Sequence, residues 1–431
     1  MGIALIQNII DLIRGKKQIH FYWLDAFKWQ MRHLNKIRLK EKINLVFVCH
    51  RPSVWGSLKT VFEECNNDYQ NFNITIVAIP NKKQLPKLQF NHEVYESEGA
   101  EDFFKDYPCR VINGYNYKTK EWFNLKHLKP DYVFFQQPYN VTRSLMYKSQ
   151  NVCKYAKILY VPYFSNFIGN DVVNSCYPID FFNNVSIVFS ENAFDVDFIN
   201  NHLNSCKVKP KIILSGFPRY DNLSCYQNVD SNIWNFTKNN RIKRIIWTPR
   251  WCTNEGNCCF FDYKDDLLDY VEKNRDIDFL FRPHPQAFLE WSATGELPEN
   301  EANVYKARFD KIANAKIDNQ KEYLTTFYSS DIMITDISSI VAEYFLTGKP
   351  IIYCHKKNCF NDFSRKLSKG FYWVHNWEEL QKTIEMLKSG NDPLKEKRQE
   401  IIKKEFYIPE KGAGYMIKEL IKEDFYGKLN K

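Results

Sequence analysis

Two short stretches carry residue types that handle phosphate. Leu280-Phe281-Arg282-Pro283-His284-Pro285 ends an apolar run that begins near Asp278, and Ile334-Thr335-Asp336-Ile337-Ser338-Ser339-Ile340-Val341-Ala342-Glu343 continues the run Ile332-Met333-Ile334. Each run reads as a buried strand, so both polar sets fall where a strand ends, and in an open parallel sheet ligands bind outside the carboxyl ends of the strands. The first stretch offers Arg282 and His284 on a loop stiffened by two prolines of fixed φ. The second offers hydroxyls at the start of a helix predicted over 340–346, where exposed backbone N–H groups and the helix dipole favour an anion. An acid/base candidate and an anion cradle thus share one βα domain, a combination that suits a diphosphate-bearing donor. Plainer uses stand beside these: a histidine between prolines also serves as an ordinary loop residue, and Asp336 before Ser338-Ser339 also fits a helix N-cap.

The chain that positions these residues has 431 residues, more than one ordinary core holds, and two domains are predicted. With 44% hydrophobic and 26% charged residues it is globular rather than disordered in type. Lys and Arg number 60 against 51 Asp and Glu, a net charge of +9 that suits anionic partners such as nucleotides, phosphopolymers or an acidic membrane face. Nucleic acid is not the reading, because no basic run with interleaved aromatics or zinc spacing accompanies the charge. The 12 cysteines are scattered without a secretory signal, which points to the reducing cytoplasm and to thiols used as small buried groups. Cys252, Cys258 and Cys259 cluster in a loop but lack the paired spacing of a zinc site.

No apolar run approaches the ~20 residues needed to cross a bilayer. Residues 3–17 are apolar with polar breaks and end in cations, which fits an amphipathic helix better than a signal peptide. Residues 20–42, rich in Trp, Tyr, Arg and Lys, suit either an interfacial helix or one packed on the protein's own surface.

From Ile43 onward, apolar runs alternate with helical patterns, the signature of βαβ units and a parallel sheet. Ile43-Asn44-Leu45-Val46-Phe47-Val48-Cys49 is the first strand, and His50 stands at its carboxyl end, placed either for function or to cap the next helix. Further strands are predicted over 74–80, 132–135, 156–161, 186–189 and 211–214. Residues 222–240 have the composition of a connector, and a second βα series begins at Arg241. Its first strand ends at Thr248-Pro249-Arg250, where an Arg suits bidentate phosphate contact or plain solvation. Helices are predicted around 263–273, 298–314, 377–387 and 393–406. The pattern amounts to two doubly wound α/β domains.

Five segments, in this order, resemble the bacterial CDP-glycerol glycerophosphotransferases of the teichoic-acid polymerase and primase type. They are Gly216-Phe217-Pro218-Arg219-Tyr220-Asp221, Ile245-Ile246-Trp247-Thr248-Pro249-Arg250-Trp251, Arg282-Pro283-His284-Pro285, Thr335-Asp336-x-Ser338-Ser339 with Glu343, and Gly348-Lys349-Pro350-Ile351-Ile352. The resemblance implies a GT-B architecture, two Rossmann-like domains with a cleft between them. It divides the chain into an N-terminal helical segment (1–42), an acceptor domain (43–225), a CDP-donor domain (226–405) and a C-terminal helix (406–431). The implied activity is transfer of a polyol phosphate from CDP-glycerol or a related CDP-polyol to a hydroxyl of a glycan or a lipid-linked, teichoic-acid-like polymer, releasing CMP. That chemistry places the protein in the cytoplasm or on the cytoplasmic face of the membrane.

On this reading His284 acts on the phosphate and Arg282 positions it or supports its loop. Thr335, Asp336, Ser338 and Ser339 hold the diphosphate, Glu343 accepts from ribose hydroxyls, and Thr248, Arg250, Gly216 and Arg219 are further cleft residues. No cofactor is expected beyond the donor itself. No metal is expected either, since no acidic cluster with magnesium-site spacing stands out and the protein itself would neutralise the charge. The polymerase-type members carry a Trp-His-Gly triplet whose His is taken as the catalytic base, whereas this chain has Pro162-Tyr163-Phe164-Ser165-Asn166-Phe167. Tyrosine, with a pKa near ~10, is a poor base at neutral pH, and His50 is the best-placed replacement. Two other readings use the same motifs: a GT-B glycosyltransferase with a CMP-activated acid sugar for capsule synthesis, and a catalytically silent membrane-associated protein that binds phosphopolymer.

Overall fold

The computed structural model describes residues 23–83, 93–167, 176–221, 223–226, 232–234, 243–320 and 323–429. The expected helix over 3–17 and most of the expected connector over 222–240 lie outside these residues. The chain forms two compact units, one of Met1–Phe164, Val173–Asp221 and Tyr407–Lys431, the other of Ser165–Val172 and Asn222–Phe406.

The first unit is built on seven parallel strands: β1 (Ile43–Cys49), β2 (Phe72–Ala78), β3 (Arg110–Asn113), β4 (Tyr132–Phe135), β5 (Lys157–Tyr160), β6 (Val185–Ser190) and β7 (Lys211–Leu214). They lie in the order β7-β6-β5-β4-β1-β2-β3. The second unit has six parallel strands: β8 (Lys243–Thr248), β9 (Ile277–Phe281), β10 (Ala315–Ile317), β11 (Ile332–Thr335), β12 (Ile351–Cys354) and β13 (Tyr372–Val374). Their order is β10-β9-β8-β11-β12-β13. Every residue of β4, β9, β11 and β12 is buried, as the strands of a parallel sheet covered on both faces must be. In each sheet the strand order reverses beside the first strand, between β1 and β4 and between β8 and β11. Such reversals open a crevice at the carboxyl ends of the strands.

Among the described helices, five matter to the site or its support: α1 (Trp23–Leu39), α2 (Lys59–Asn67), α3 (Phe260–Lys273), α4 (Ile340–Phe345) and α5 (Ala413–Phe425). Phe260, the first residue of α3, stacks on Trp247 of β8 at 5.5 Å and on Trp291 at 4.2 Å. Each such buried ring removes roughly 150–250 Å² from water. This aromatic core fixes the ends of β8 and β9, which carry Thr248 and Arg282.

The stretch after 405, read from sequence as a separate helix, packs within the first unit. The Asp221 carboxylate accepts hydrogen bonds from the Thr60 hydroxyl of α2 (2.5 Å) and from the N–H groups of Ala413 (2.6 Å) and Gly414 (2.8 Å), which satisfies the start of α5. Gly216 has φ +78°, and a Cβ there would lie 2.7 Å from Pro409. The Gly216–Asp221 motif therefore receives the returning chain. Arg219 donates to the Ser53 carbonyl (3.2 Å) and so braces the turn that follows His50.

Helix α1 lies on the protein's own surface. Lys36 donates to the buried Asp131 carboxylate (2.6 Å), and Arg32 donates to the Pro130 carbonyl (2.7 Å). Its exposed side nevertheless shows Phe27, Met31 and Leu39 among the exposed cations Lys28, Arg38 and Lys40.

Candidate active site

At the reversal of the second sheet, the ends of β8 and β11 are joined through side chains. The Thr248 hydroxyl donates to that of Thr335 (3.0 Å), which donates to the Thr248 carbonyl (2.9 Å); both threonines are buried. Asp336 is buried as well. One carboxylate oxygen accepts from the Arg250 N–H (2.6 Å) and the other from the N–H of Cys259, the residue before α3 (2.9 Å). Asp336 thus holds the 249–259 loop, and the helix-cap alternative does not describe it. Burial pushes its carboxyl up to about 7, against the opposing pull of these N–H groups and of the Arg250 guanidinium.

Arg250 is paired within its own loop, its fork meeting both oxygens of Glu255 at 2.8 Å. Ser339 precedes the six-residue α4 and makes no side-chain cap bond; it and Ser338 are half-buried. Glu343, read from sequence as a ribose contact, is buried and accepts from the Tyr323 hydroxyl.

Arg282 and His284 divide their labour. Arg282 donates to the buried Asp318 carboxylate (2.6 Å) and the Gln320 carbonyl (2.7 Å) and lies over the Tyr323 ring at 5.2 Å, which makes it a strut for the loop. His284 is exposed. Its Nδ1 accepts from the Gln286 N–H (3.2 Å), which assigns the proton of the neutral ring to Nε2. The ring stacks on Trp251, centroids 5.4 Å apart and planes 24° from parallel. Thr248, Arg250, Thr335, Asp336, Ser338, Ser339 and His284 are thereby gathered along one edge of the second sheet. Sequence reasoning gave no role to Trp251.

The first unit has its own constellation where its strand order reverses. The Gln136 side-chain oxygen accepts from the N–H groups of His50 (2.7 Å) and Arg51 (3.0 Å). The His50 Nε2 bonds to the Gln137 side-chain oxygen at 2.8 Å, an arrangement that puts the ring proton on Nε2 and leaves Nδ1 basic. His50 therefore does not cap the helix that follows. The Gln137 carbonyl accepts from Arg143, a fully buried side chain whose guanidinium lies 4.2 Å from the Phe135 ring. Gln136, Gln137 and Arg143 were absent from the sequence reading, although Gln136-Gln137 follow the apolar run Tyr132–Phe135 as other site residues follow theirs. Tyr163, where the family triplet would fall, shares its hydroxyl with that of Tyr139 (2.9 Å), and burial lifts it to about 12. Gly216 and Arg219 serve the chain's return and the turn after His50.

Burial lowers His50 to about 4; the Gln137 bond opposes this while Arg143 adds to it. The imidazole is neutral at pH 7, and its linkage to stability has a definite sign. An unfolded chain takes up the proton near ~6.5 and the folded chain only near the lower value, so stability is full above ~6.5 and falls as pH drops through that interval. From about pH 7.5 to about pH 5 the loss amounts to about 2 kcal/mol, and His50→Gln removes that part of the acid lability. Parallel thermal-unfolding profiles for the two proteins would show that His50 is not the linked group.

The profile of the family described as CDP-Glycerol:Poly(glycerophosphate) glycerophosphotransferase matches residues 181–404. The chain belongs to this family. The matched span contains the whole second sheet, from Lys243 to Val374. A similar curated protein is the minor teichoic acid biosynthesis protein GgaB of Bacillus subtilis (strain 168), 26% identical over 155 residues, which are 34% of this chain and 16% of GgaB. The chain therefore corresponds to a small part of that relative's length.

Among solved structures, a variant of the wall teichoic acid polymerase TagF soaked with CDPG superposes with TM-score 0.58 at 14% identity, covering 94% of this chain and 99% of TagF. The S. aureus MnaA-UDP co-structure superposes with TM-score 0.60 at 10% identity, covering 90% and 98%. At such identities the likeness concerns the fold, and it agrees with the two parallel sheets in assigning this glycerophosphotransferase-family chain to the GT-B class.

Proposed function

We propose that the chain transfers glycerol phosphate, or another polyol phosphate, from a CDP-linked donor to a hydroxyl of a glycan or teichoic-acid-like polymer. The observation that carries this reading is His284, exposed beside Trp251 on the strand-end edge that also bears Ser338 and Ser339, in a chain of the glycerophosphotransferase family. The acceptor oxygen attacks the β-phosphorus of the donor, a new P–O bond forms, the bond to the CMP oxygen breaks, and the hydroxyl proton goes to a base. With Nδ1 engaged by Gln286, His284 presents Nε2–H chemistry to the phosphate, as hydrogen-bond donor or acid. Ser338 and Ser339 hold the diphosphate. Thr248, Arg250, Thr335 and Asp336 shape that cradle rather than contact the donor. His50, neutral at pH 7, serves as the base. Protein groups neutralise the phosphate, without a metal ion.

No described helix is long and apolar enough to cross a membrane. The exposed Phe27, Met31 and Leu39 of α1, with Lys28, Arg38 and Lys40, form a face suited to peripheral contact with an anionic cytoplasmic membrane surface.

CMP release tests the reading, measured with CDP-glycerol, CDP-ribitol and CMP-activated acid sugars, with and without a chelator. Turnover of a CDP-polyol that survives the chelator and is lost in His50→Ala is the expected result. Turnover of a CMP-sugar alone would overturn the donor assignment, and a requirement for added divalent ion would overturn the charge assignment.

A further inference from the structure

The carboxyl edge of the first unit's sheet has a surface chemistry that phosphate transfer alone does not use. After β2 the chain forms a short antiparallel pair, Asn81–Lys82 with Tyr95–Glu96, and after β3 a second one, Tyr115–Asn116 with Glu121–Trp122. The second pair is drawn tightly onto the sheet: the Gly114 N–H donates to the Ala78 carbonyl (2.7 Å), and a Cβ at Gly114 would lie 2.6 Å from Ile79.

Aromatic rings from the two pairs pack into one group. Tyr115 and Trp122 have centroids 4.7 Å apart, Tyr95 lies 4.8 Å from Trp122, and Tyr117 lies 5.0 Å from Tyr115. Below them Trp122 rests on the fully buried Tyr147 at 5.1 Å, so the group is mounted on the core. Above them Tyr117 is 46% exposed, with its hydroxyl donating to Glu101 (2.7 Å). The same edge bears the Tyr139–Tyr163 hydroxyl pair.

The charge of this edge decides what it fits. Three of its cations meet carboxylates of the 93–98 segment: Arg51 with Glu98 (2.5 Å), Lys82 with Glu93 (2.5 Å) and Lys83 with Glu96 (2.7 Å). A phosphate polymer needs cations to exchange for its counterions, whereas these three already have carboxylates. A neutral sugar chain needs flat apolar faces for its C–H surfaces and fixed acids, amides and hydroxyls at their margins, which is what the aromatic group and its ion pairs supply.

We propose that this edge is a glycan-binding platform, and that the acceptor is a neutral sugar chain that lies across Tyr95, Tyr115, Tyr117 and Trp122 with its reacting end toward His50 and Tyr163. The proposal deepens the transfer reading given above, and rests on it, by naming the acceptor class.

Titration calorimetry of the full chain, without any CDP-polyol present, separates the two. The probes are short α- and β-linked hexose and N-acetylhexosamine oligosaccharides, with poly(glycerol phosphate) as the anionic comparison. At least one neutral oligosaccharide is expected to bind with little dependence on salt, and Tyr117→Ala is expected to weaken it about tenfold, as the loss of an aromatic contact does. Tyr69→Ala, an exposed tyrosine just before the amino end of β2, leaves it unchanged. Because Tyr117 is exposed, its replacement spares the core, and Trp122→Phe provides a second variant that keeps a ring on Tyr147. Absence of binding by every neutral oligosaccharide, or binding indifferent to Tyr117→Ala and Trp122→Phe, would overturn the proposal. Failure of the donor assay with glycan binding intact would instead remove the transfer reading and leave the platform.

Discussion

Replacing His284 with alanine lowers kcat for CDP-polyol turnover by about 10²–10⁴-fold, the range for loss of a positioned acid or electrostatic group, with a small change in KM for the donor. The size follows from the site's economy. Arg250 is paired with Glu255, and Arg282 with Asp318. His284 is the exposed imidazole of this edge, placed to answer charge growing on the phosphoryl oxygens. Because it stands outside the core, truncation opens no cavity, and thermal stability stays within about 0.5 kcal/mol of wild type. His284→Gln separates two versions of the role: an amide N–H can donate a hydrogen bond but cannot deliver a proton. Partial rescue by Gln assigns electrostatic stabilisation, and none assigns acid catalysis. Wild-type kcat in His284→Ala would remove the residue from the chemistry.

Asp336→Ala acts on stability first. It leaves the part-buried N–H of Arg250 and the buried N–H of Cys259 without their acceptor, and each such loss costs about 1–3 kcal/mol. The expected destabilisation is about 2–6 kcal/mol, a fall in Tm of roughly 2–4 °C for each kcal/mol in a unit of this size. The pH dependence runs opposite to that of His50. The Asp336 carboxyl is pushed up to about 7 by burial, above the roughly 3.9 of an unfolded chain. Its proton-linked stability is therefore present below about pH 4 and lost as pH rises through about 7. The gap between wild type and Asp336→Ala is accordingly wider near pH 5 than near pH 8. Unfolding of both proteins at one temperature across that range would contradict the role given to this carboxylate.

Much of the second unit's strand-end edge was legible because its residues follow apolar runs. Thr248, Arg282 and Thr335 are placed at strand ends by the sequence alone, since β8, β9 and β11 are interior strands with strong hydrophobic signals. The strands β3, β10 and β13 were missed. They are the edges of their sheets, three or four residues long and partly exposed, so periodicity has little to act on.

The uses of particular residues were harder to read than their positions. Asp336 reads from sequence as a helix cap or phosphate contact, but its partners, Arg250 and Cys259, lie far back in the chain and are brought to it only by strand pairing. Asp221 meets Ala413 and Gly414 for a similar reason. Gln136 and Gln137 had a readable place, after Tyr132–Phe135, but amides announce no chemistry of their own until His50 is found beside them.

The most direct test of the transfer chemistry is ³¹P NMR of the purified chain with CDP-glycerol and a hydroxyl-bearing oligosaccharide acceptor. The expected result is loss of the diphosphate signals with matched growth of CMP and of a new phosphodiester on the acceptor. Persistence of CDP-glycerol, while a CMP-linked sugar is consumed under the same conditions without any new phosphodiester, would contradict phosphate transfer by this chain.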